Sequence, residues 1–205
     1  MGVRALFPTL VYTAALRKRG AGRLNERLLR ECLQLRRDDV AGRTWSRSHY
    51  PGGYTSYGSQ HRLYEISPTF ATLRKLLEPH LAAFARSVEW DLRGRRLQMT
   101  DCWVNIMPHQ VVHSLHLHPL ATVSGTYYVK CPAGCPGIKF EDPRLDRFMA
   151  APPRRSPCRV PNRQWVTLPA VPGQVVLFES WLRHEVTPNT RRQERVSISF
   201  NFNWF

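Results

Sequence analysis

His113-Ser114-Leu115-His116-Leu117-His118, closed by Pro119 and followed by the run Ala121 to Lys130, reads as two short β-strands in succession. Side chains along a strand point alternately to its two faces, so His116 and His118 project to the same side. A third imidazole from a distant strand can meet them there, and Trp181-Leu182-Arg183-His184 supplies one 66 residues beyond His118. Neutral imidazole is the commonest protein ligand for transition metals, and two or three of them with open positions describe a catalytic centre. The spacing points to a metal site assembled on β-structure.

The rest of the chain suits such a frame. Val-, Ile-, Phe- and Tyr-rich runs separated by Pro, Gly and Asn predict strands at Gln98 to Met107, His113 to His118, Ala121 to Lys130, Gly137 to Phe140, Gln164 to Leu168, Gln174 to Glu179 and Arg195 to Phe202. Upstream, Leu6 to Thr13 predicts a first strand, and Leu24, Leu28 and Cys32 recur at helical spacing. Ser67-Pro68 provides an N-cap and a first-turn proline, and Leu73, Leu76, Leu77, Leu81, Phe84 and Val88 give a buried helical face to about Trp90. Pro79 is expected to kink or split this helix, and Gly94 to help end the unit. Residues 40–66, rich in Gly, Ser, Tyr and Arg, have the composition of a loop. The Arg- and Pro-rich piece Leu145 to Pro161 is expected to be an insert near the mouth of a barrel.

Helices followed by a series of strands predict a mainly β fold with flanking helices, of sandwich or jelly-roll type. At 205 residues a single domain (1–205) is expected, with 1–96 as helical and loop support and 97–205 as the β core. Hydrophobic content of 42% and aromatic content of 11% exclude a disordered chain.

The formal charge of +15 raises nucleic acid or an acidic polymer as a partner. Of the 30 basic residues, however, 26 are Arg and 4 Lys, spread along the chain, which suits a generally basic surface. Nucleic acid is therefore the less favoured partner. Five cysteines, an odd number, fit free thiols in a reducing compartment, and the Cys131/Cys135 spacing is not that of a zinc knuckle. The apolar start, Ala5 to Leu16, is too short to span a bilayer, so no membrane association and a cytoplasmic location are expected.

Four of the eight histidines, His109, His113, His116 and His118, lie within ten residues, which lifts this segment above the usual reading of a lone structural histidine. His113 is out of phase with His116 and faces away if the strand is regular, leaving it a supporting or substrate-contacting role. In many iron oxygenases the third ligand is a carboxylate two residues after the first histidine, and here that position is His118. No acid lies between Asp101 and Glu141, so a carboxylate ligand would have to come from Asp101, Glu141, Asp142 or Glu179. Three histidines are the simpler set.

Several segments together resemble the 2-oxoglutarate/Fe(II)-dependent oxygenase family. They are Trp103-Val104-Asn105, His116-Leu117-His118-Pro119, Ser124-Gly125-Thr126-Tyr127-Tyr128-Val129, Phe140-Glu141-Asp142-Pro143-Arg144, Ser180-Trp181-Leu182-Arg183-His184 and Arg195-Val196-Ser197-Ile198-Ser199-Phe200-Asn201, with Gly52 to Ser56 and Ser67 to Phe70 in the N-terminal half. The resemblance implies a double-stranded β-helix (cupin-like jelly roll), bound Fe(II), and 2-oxoglutarate and O2 as cosubstrates. On it, His116 and His184 would be iron histidines, His118 would replace the usual carboxylate, and Arg195 with Ser197 would hold the distal carboxylate of 2-oxoglutarate. A guanidinium suits that task because its fork matches a carboxylate. Asn105 and Tyr128, expected on neighbouring strands, could donate hydrogen bonds to the cosubstrate. The expected outcome is hydroxylation of a C–H bond in an unidentified protein, peptide or small molecule, with desaturation and demethylation open.

Two other classes stay open. One is a three-histidine cupin-type dioxygenase that uses no 2-oxoglutarate, against which Arg195 speaks. The other is a basic binding module for nucleic acid or acidic polymer, using Arg43 to Arg62 with Trp45, Tyr50, Tyr54 and Tyr57. If the basic surface is only background, oligonucleotide binding measured by fluorescence anisotropy is weak and disappears between about 50 and 200 mM salt. Tight binding that survives this range and depends on Trp45 or Tyr54 favours the binding module.

Overall fold

The computed structural model describes residues 2–16, 21–144 and 149–205. In chain order the elements are β1 (Val11–Ala15), α1 (Ala21–Asp38), α2 (Val40–His49), β2 (Tyr54–Thr55), α3 (Leu63–Ile66), α4 (Pro68–Ser87), β3 (Leu97–Met107), β4 (His113–His116), β5 (Val123–Lys130), β6 (Ile138–Glu141), β7 (Trp165–Leu168), β8 (Gln174–Glu179), β9 (His184–Val186) and β10 (Arg195–Trp204). The strands form two antiparallel sheets, β1-β8-β5-β10-β3-β2 and β4-β9-β6-β7. This is the antiparallel jelly roll, with few helices, that the strand-rich second half predicts.

Alternation along the long strands decides which face of the larger sheet meets what. Cys102, Val104 and Ile106 of β3, Val123, Tyr127 and Val129 of β5, and Val196, Ile198, Phe200 and Phe202 of β10 share one buried cluster with Leu28 and Cys32 of α1. Phe70, Leu73, Leu77, Leu81 and Phe84 of α4 belong to the same cluster, so the helices cover one face of the sheet. The residues between them on the strands point to the other sheet, where Phe140, Phe178 and Leu182 form a second, smaller cluster.

Several expectations are corrected. The first strand begins at Val11, not Leu6, because it exists only where it pairs along β8, from Val11 opposite Phe178 to Ala15 opposite Gln174. Residues 40–66 are not a loop but α2, β2 and α3. Their polar residues have internal partners: Asp39 caps α2 by accepting from Gly42 N at 2.8 Å, and its other oxygen accepts from Tyr54 Oη and Ser59 Oγ. Composition alone cannot reveal that network. α4 runs unbroken through Pro79, which lies on its exposed side while Leu73, Leu77, Leu81 and Phe84 on the buried face keep the helix docked. It ends at Ser87, short of Trp90, with Ser67 Oγ accepting from Thr69 N and Phe70 N at its start.

β4 stops at His116, two residues short of His118, and β9, which the strand pattern does not announce, carries His184. Of the Leu145 to Pro161 piece, 145–148 lie outside the described residues. The remainder links β6 to β7 without regular structure until a 3-10 turn at Val160–Asn162, and none of its described residues lines the cavities below.

Gly125 sits on β5 between β10 and β8, facing the helices. A Cβ at this position would lie 2.6 Å from the Val176 carbonyl oxygen and would also meet the rings and methyls of Phe200 and Leu177. Backbone cannot yield as a side chain can, so Gly125→Ala should cost about 1–3 kcal/mol, read as a lowered denaturant midpoint. An unchanged midpoint would mean that β5 and β8 are not packed this closely.

Candidate functional site

The inward faces of β3, β10 and β5 carry three polar rows fixed by strand register. Ser197 lies between Asn105 and Tyr128, Ser199 between Trp103 and Thr126, and Asn201 between Asp101 and Ser124. Asn105 and Tyr128 are therefore not on adjacent strands, as expected from sequence, but flank β10 on either side.

The second sheet brings the histidines to this face. His116 on β4 is paired with His184 on β9, and His118 follows just past the strand, its amide donating to Ser180 O at 3.1 Å. One ring nitrogen each from His116, His118 and His184 lie within 4.8 Å of one another, the only such cluster of potential metal ligands among the described residues. His116 Nδ1 lies 2.6 Å from Ser114 O and His184 Nδ1 2.9 Å from Leu182 O. A carbonyl oxygen only accepts, so both Nδ1 atoms carry the proton and both Nε2 atoms keep a lone pair. Burial lowers the pKa of all three rings, to about 4 for His118 and about 2 for His184, where the neighbouring imidazole of His116 adds to the effect. Neutral imidazoles with free lone pairs are the form that binds a metal.

Three of the four acids open as alternative ligands have partners elsewhere, and none of the four joins the cluster. Asp101 accepts from Thr100 Oγ1 and Asn201 Nδ2, Glu141 pairs with Arg183 and Asp142 with Arg144, while Glu179 is not in the cluster. His113 is a second correction. The register of β4 against β9 shifts between His113 and His116, so the strand is not regular and His113 turns back to the site. It stacks on His116 at 4.5 Å between ring centres and approaches Tyr50 at 5.2 Å.

Arg195, the first residue of β10, is 3% exposed and has no carboxylate partner among the described residues. Its Nη1 donates to Ser197 Oγ at 3.1 Å, and its guanidinium stands 5.0 Å above the Tyr128 ring. Arg195 Nε, Tyr128 Oη and Asn105 Oδ1 are buried without a hydrogen-bond partner. An unpaired buried cation costs several kcal/mol, so this arrangement is built to receive an anion. Arg195, Ser197 and Asn105 line one cavity together with His116, His118 and His184. Three neutral nitrogen donors beside an anion slot fit a divalent metal and a carboxylate cosubstrate.

A wider cleft shares Trp103, His113, His116 and His118 with this cavity. Trp45, Tyr50, Tyr57, Trp103, Leu117 and Pro119 line it, along with His113, His116 and His118. From the sequence alone Trp45, Tyr50 and Tyr57 belong only to a basic segment for nucleic acid or acidic polymer, and Asn201 and Ser124 carry no stated role. The period-two series from Arg195 through Ser197 and Ser199 to Asn201 was the available signal for Asn201.

Residues 101–201 match the family described as "Putative 2OG-Fe(II) oxygenase". No functionally curated protein matches the chain in sequence. Among solved structures, a Pseudomonas putida prolyl-4-hydroxylase is similar with a TM-score of 0.62 and 16% identity, over 95% of this chain and 92% of that one. HygX from Streptomyces hygroscopicus, with nickel and 2-oxoglutarate bound, gives 0.61 and 15% over 95% and 83% of the two chains. A prolyl hydroxylase from Trichoplax adhaerens, in complex with a hypoxia inducible factor peptide fragment, gives 0.60 and 15% over 94% and 83%. At these identities the likeness is one of fold.

The clustering separates His113 from the other three. Ala at His116, His118 or His184 should sharply lower metal content after anaerobic iron loading, by elemental analysis, with the unfolding transition of the metal-free protein little changed. His113→Ala should retain the metal. Full retention in His118→Ala would move the third ligand to another residue.

Proposed function

Through residues 101–201 this chain belongs to the 2OG-Fe(II) oxygenase family, and on that basis we propose that His116, His118 and His184 hold its iron and that Arg195 with Ser197 anchors 2-oxoglutarate. The protein is a 2-oxoglutarate- and Fe(II)-dependent oxygenase. The observation that carries the residue assignment is the buried, unpaired Arg195 in the same cavity as three converging imidazoles. A three-histidine dioxygenase that used no 2-oxoglutarate would have no need of that cation.

When bound, the iron supplies the oxidising chemistry, in which 2-oxoglutarate and O2 are consumed as a C–H bond is oxidised. The chain's own residues do the rest. His116 and His184 hold their Nε2 lone pairs inward through Nδ1 hydrogen bonds to Ser114 and Leu182 carbonyls. Arg195 presents Nε and a terminal nitrogen to a carboxylate as a fork, and Ser197, already bonded to the guanidinium, keeps that fork in place. Tyr128 Oη can donate to the same anion. Asn105 Nδ2 donates to Ser199 Oγ at 3.0 Å, and because a hydroxyl serves equally as donor, the amide can turn its NH2 toward the cosubstrate.

The substrate enters by the aromatic cleft, where Trp45, Tyr57 and Trp103 offer flat apolar walls beside His116 and His118. A peptide or small molecule suits it; the Trichoplax relative is bound to a peptide fragment and a HygX structure to hygromycin B. No helix among the described residues is long and apolar enough to cross a membrane. The five cysteines are free thiols, which favours a reducing compartment such as the cytoplasm.

A charge-assisted pair to a carboxylate contributes roughly 1.5–3 kcal/mol, one to two powers of ten in affinity. Arg195→Ala should therefore raise the 2-oxoglutarate dissociation constant at least about tenfold, with iron affinity nearly unchanged. Lys at this position should recover only part of the loss, since it keeps the charge but not the fork. Anaerobic titration of the iron-loaded protein, followed by its metal-to-ligand charge-transfer absorption, measures both. If iron-loaded wild type binds no 2-oxoglutarate, the assignment of Arg195 fails.

A further inference from the structure

His118 stands where a carboxylate ligand is usual, and the structure shows a carboxylate two hydrogen bonds behind it. His118 Nδ1 lies 2.7 Å from Asn201 Oδ1, and Asn201 Nδ2 lies 3.3 Å from Asp101 Oδ2. Asp101 and Asn201 face each other across β3 and β10, and Ser124 is the partner of Asn201 on β5. Asn201 is 7% exposed and Ser124 0%.

The order of donors in this chain follows from what each group can do. A carboxylate only accepts, so the Asn201 NH2 must face Asp101 and its carbonyl oxygen must face His118. An amide oxygen 2.7 Å from a ring nitrogen is repelled unless a proton lies between them. His118 therefore carries its proton on Nδ1 and directs the Nε2 lone pair to the cluster with His116 and His184. Ser124 Oγ sits 2.8 Å from both His118 Nδ1 and Asn201 Oδ1 and 2.8 Å from Ser180 Oγ. A hydroxyl fits either tautomer, so it is Asn201, held by Asp101, that selects one.

We propose that Asp101 and Asn201 are positioning residues that lock His118 in the Nδ1–H tautomer, so that its Nε2 serves as the third metal ligand. This rests on the reading of His118 as a ligand. The lock restores, at one remove, the pairing of carboxylate with ligating histidine that fixes ring orientation and raises ligand basicity in metal sites. In Asn201→Ala the hydroxyl of Ser124 loses the Asn201 acceptor and can donate to Nδ1 while accepting from Ser180 Oγ, which favours the opposite tautomer.

The test uses the metal-free protein first. Long-range 1H–15N correlation spectra, with His118 assigned through His118→Gln, should show Nδ1–H in wild type and the appearance of Nε2–H in Asn201→Ala and Asp101→Ala. The anaerobic Fe(II) dissociation constant should rise by about 10–100-fold in both. The exchange variant D101N/N201D keeps one carboxylate, one amide and the volume, and should restore both the Nδ1–H form and most of the affinity. It also serves if a single variant does not fold. An Nε2–H signal in wild type, or variants that keep the Nδ1–H form, overturns the lock. A shifted tautomer with unchanged Fe(II) affinity removes His118 from the ligand set, and the failure then belongs to the ligand assignment rather than to the hydrogen-bond chain.

Discussion

The site depends on the two-residue alternation of β10 between β3 and β5. Val196, Ile198, Phe200 and Phe202 enter the core beneath the helices, while Arg195, Ser197, Ser199 and Asn201 line the opposite face. A slip of one residue would exchange the two sets, driving a guanidinium into the apolar cluster and four large apolar side chains into the cavity. The hydrophobic drive that seats α1 and α4 is thus also what places the anion slot at one end of β10 and the support of His118 at the other. Fold and chemistry share one register.

Charge explains why this arrangement tolerates three histidines. Burial keeps the imidazoles neutral, and the nearby acids are tied to Asn201, Thr100, Arg183 and Arg144. The cavity therefore contributes positive charge from Arg195 and none of the opposite sign from its three histidines. A divalent cation adds two more charges, and a dianionic cosubstrate compensates them better than a neutral one would. A carboxylate bound directly to the metal would weaken that demand; one held two hydrogen bonds from His118, at Asp101, keeps it while orienting the ring.

The gathering of His116, His118 and His184 and the β core are legible because their signal is local: His116 and His118 share a strand spacing, and the long strands alternate openly. His184 was legible only as a partner, since β9 is three residues long and its strand character comes from pairing with β4 and β6. The turn of His113 toward the site is not legible, because a register shift cannot be read from a regular alternation. The region 40–66 was misread because Asp39, Tyr54 and Ser59 stabilise it through contacts far apart in sequence. The pairing of Asn201 with His118, 83 residues apart, likewise needs the sheet to exist first.

A crystal structure of the protein loaded anaerobically with Fe(II) and 2-oxoglutarate shows at once which side chains hold the metal and what Arg195 binds. The expected result is one metal peak at about 2.0–2.3 Å from His116, His118 and His184, no side-chain carboxylate in its shell, and the distal carboxylate of 2-oxoglutarate on Arg195. A metal bound through an Asp or Glu side chain in place of His118, or a cosubstrate that leaves Arg195 unpaired, would contradict it.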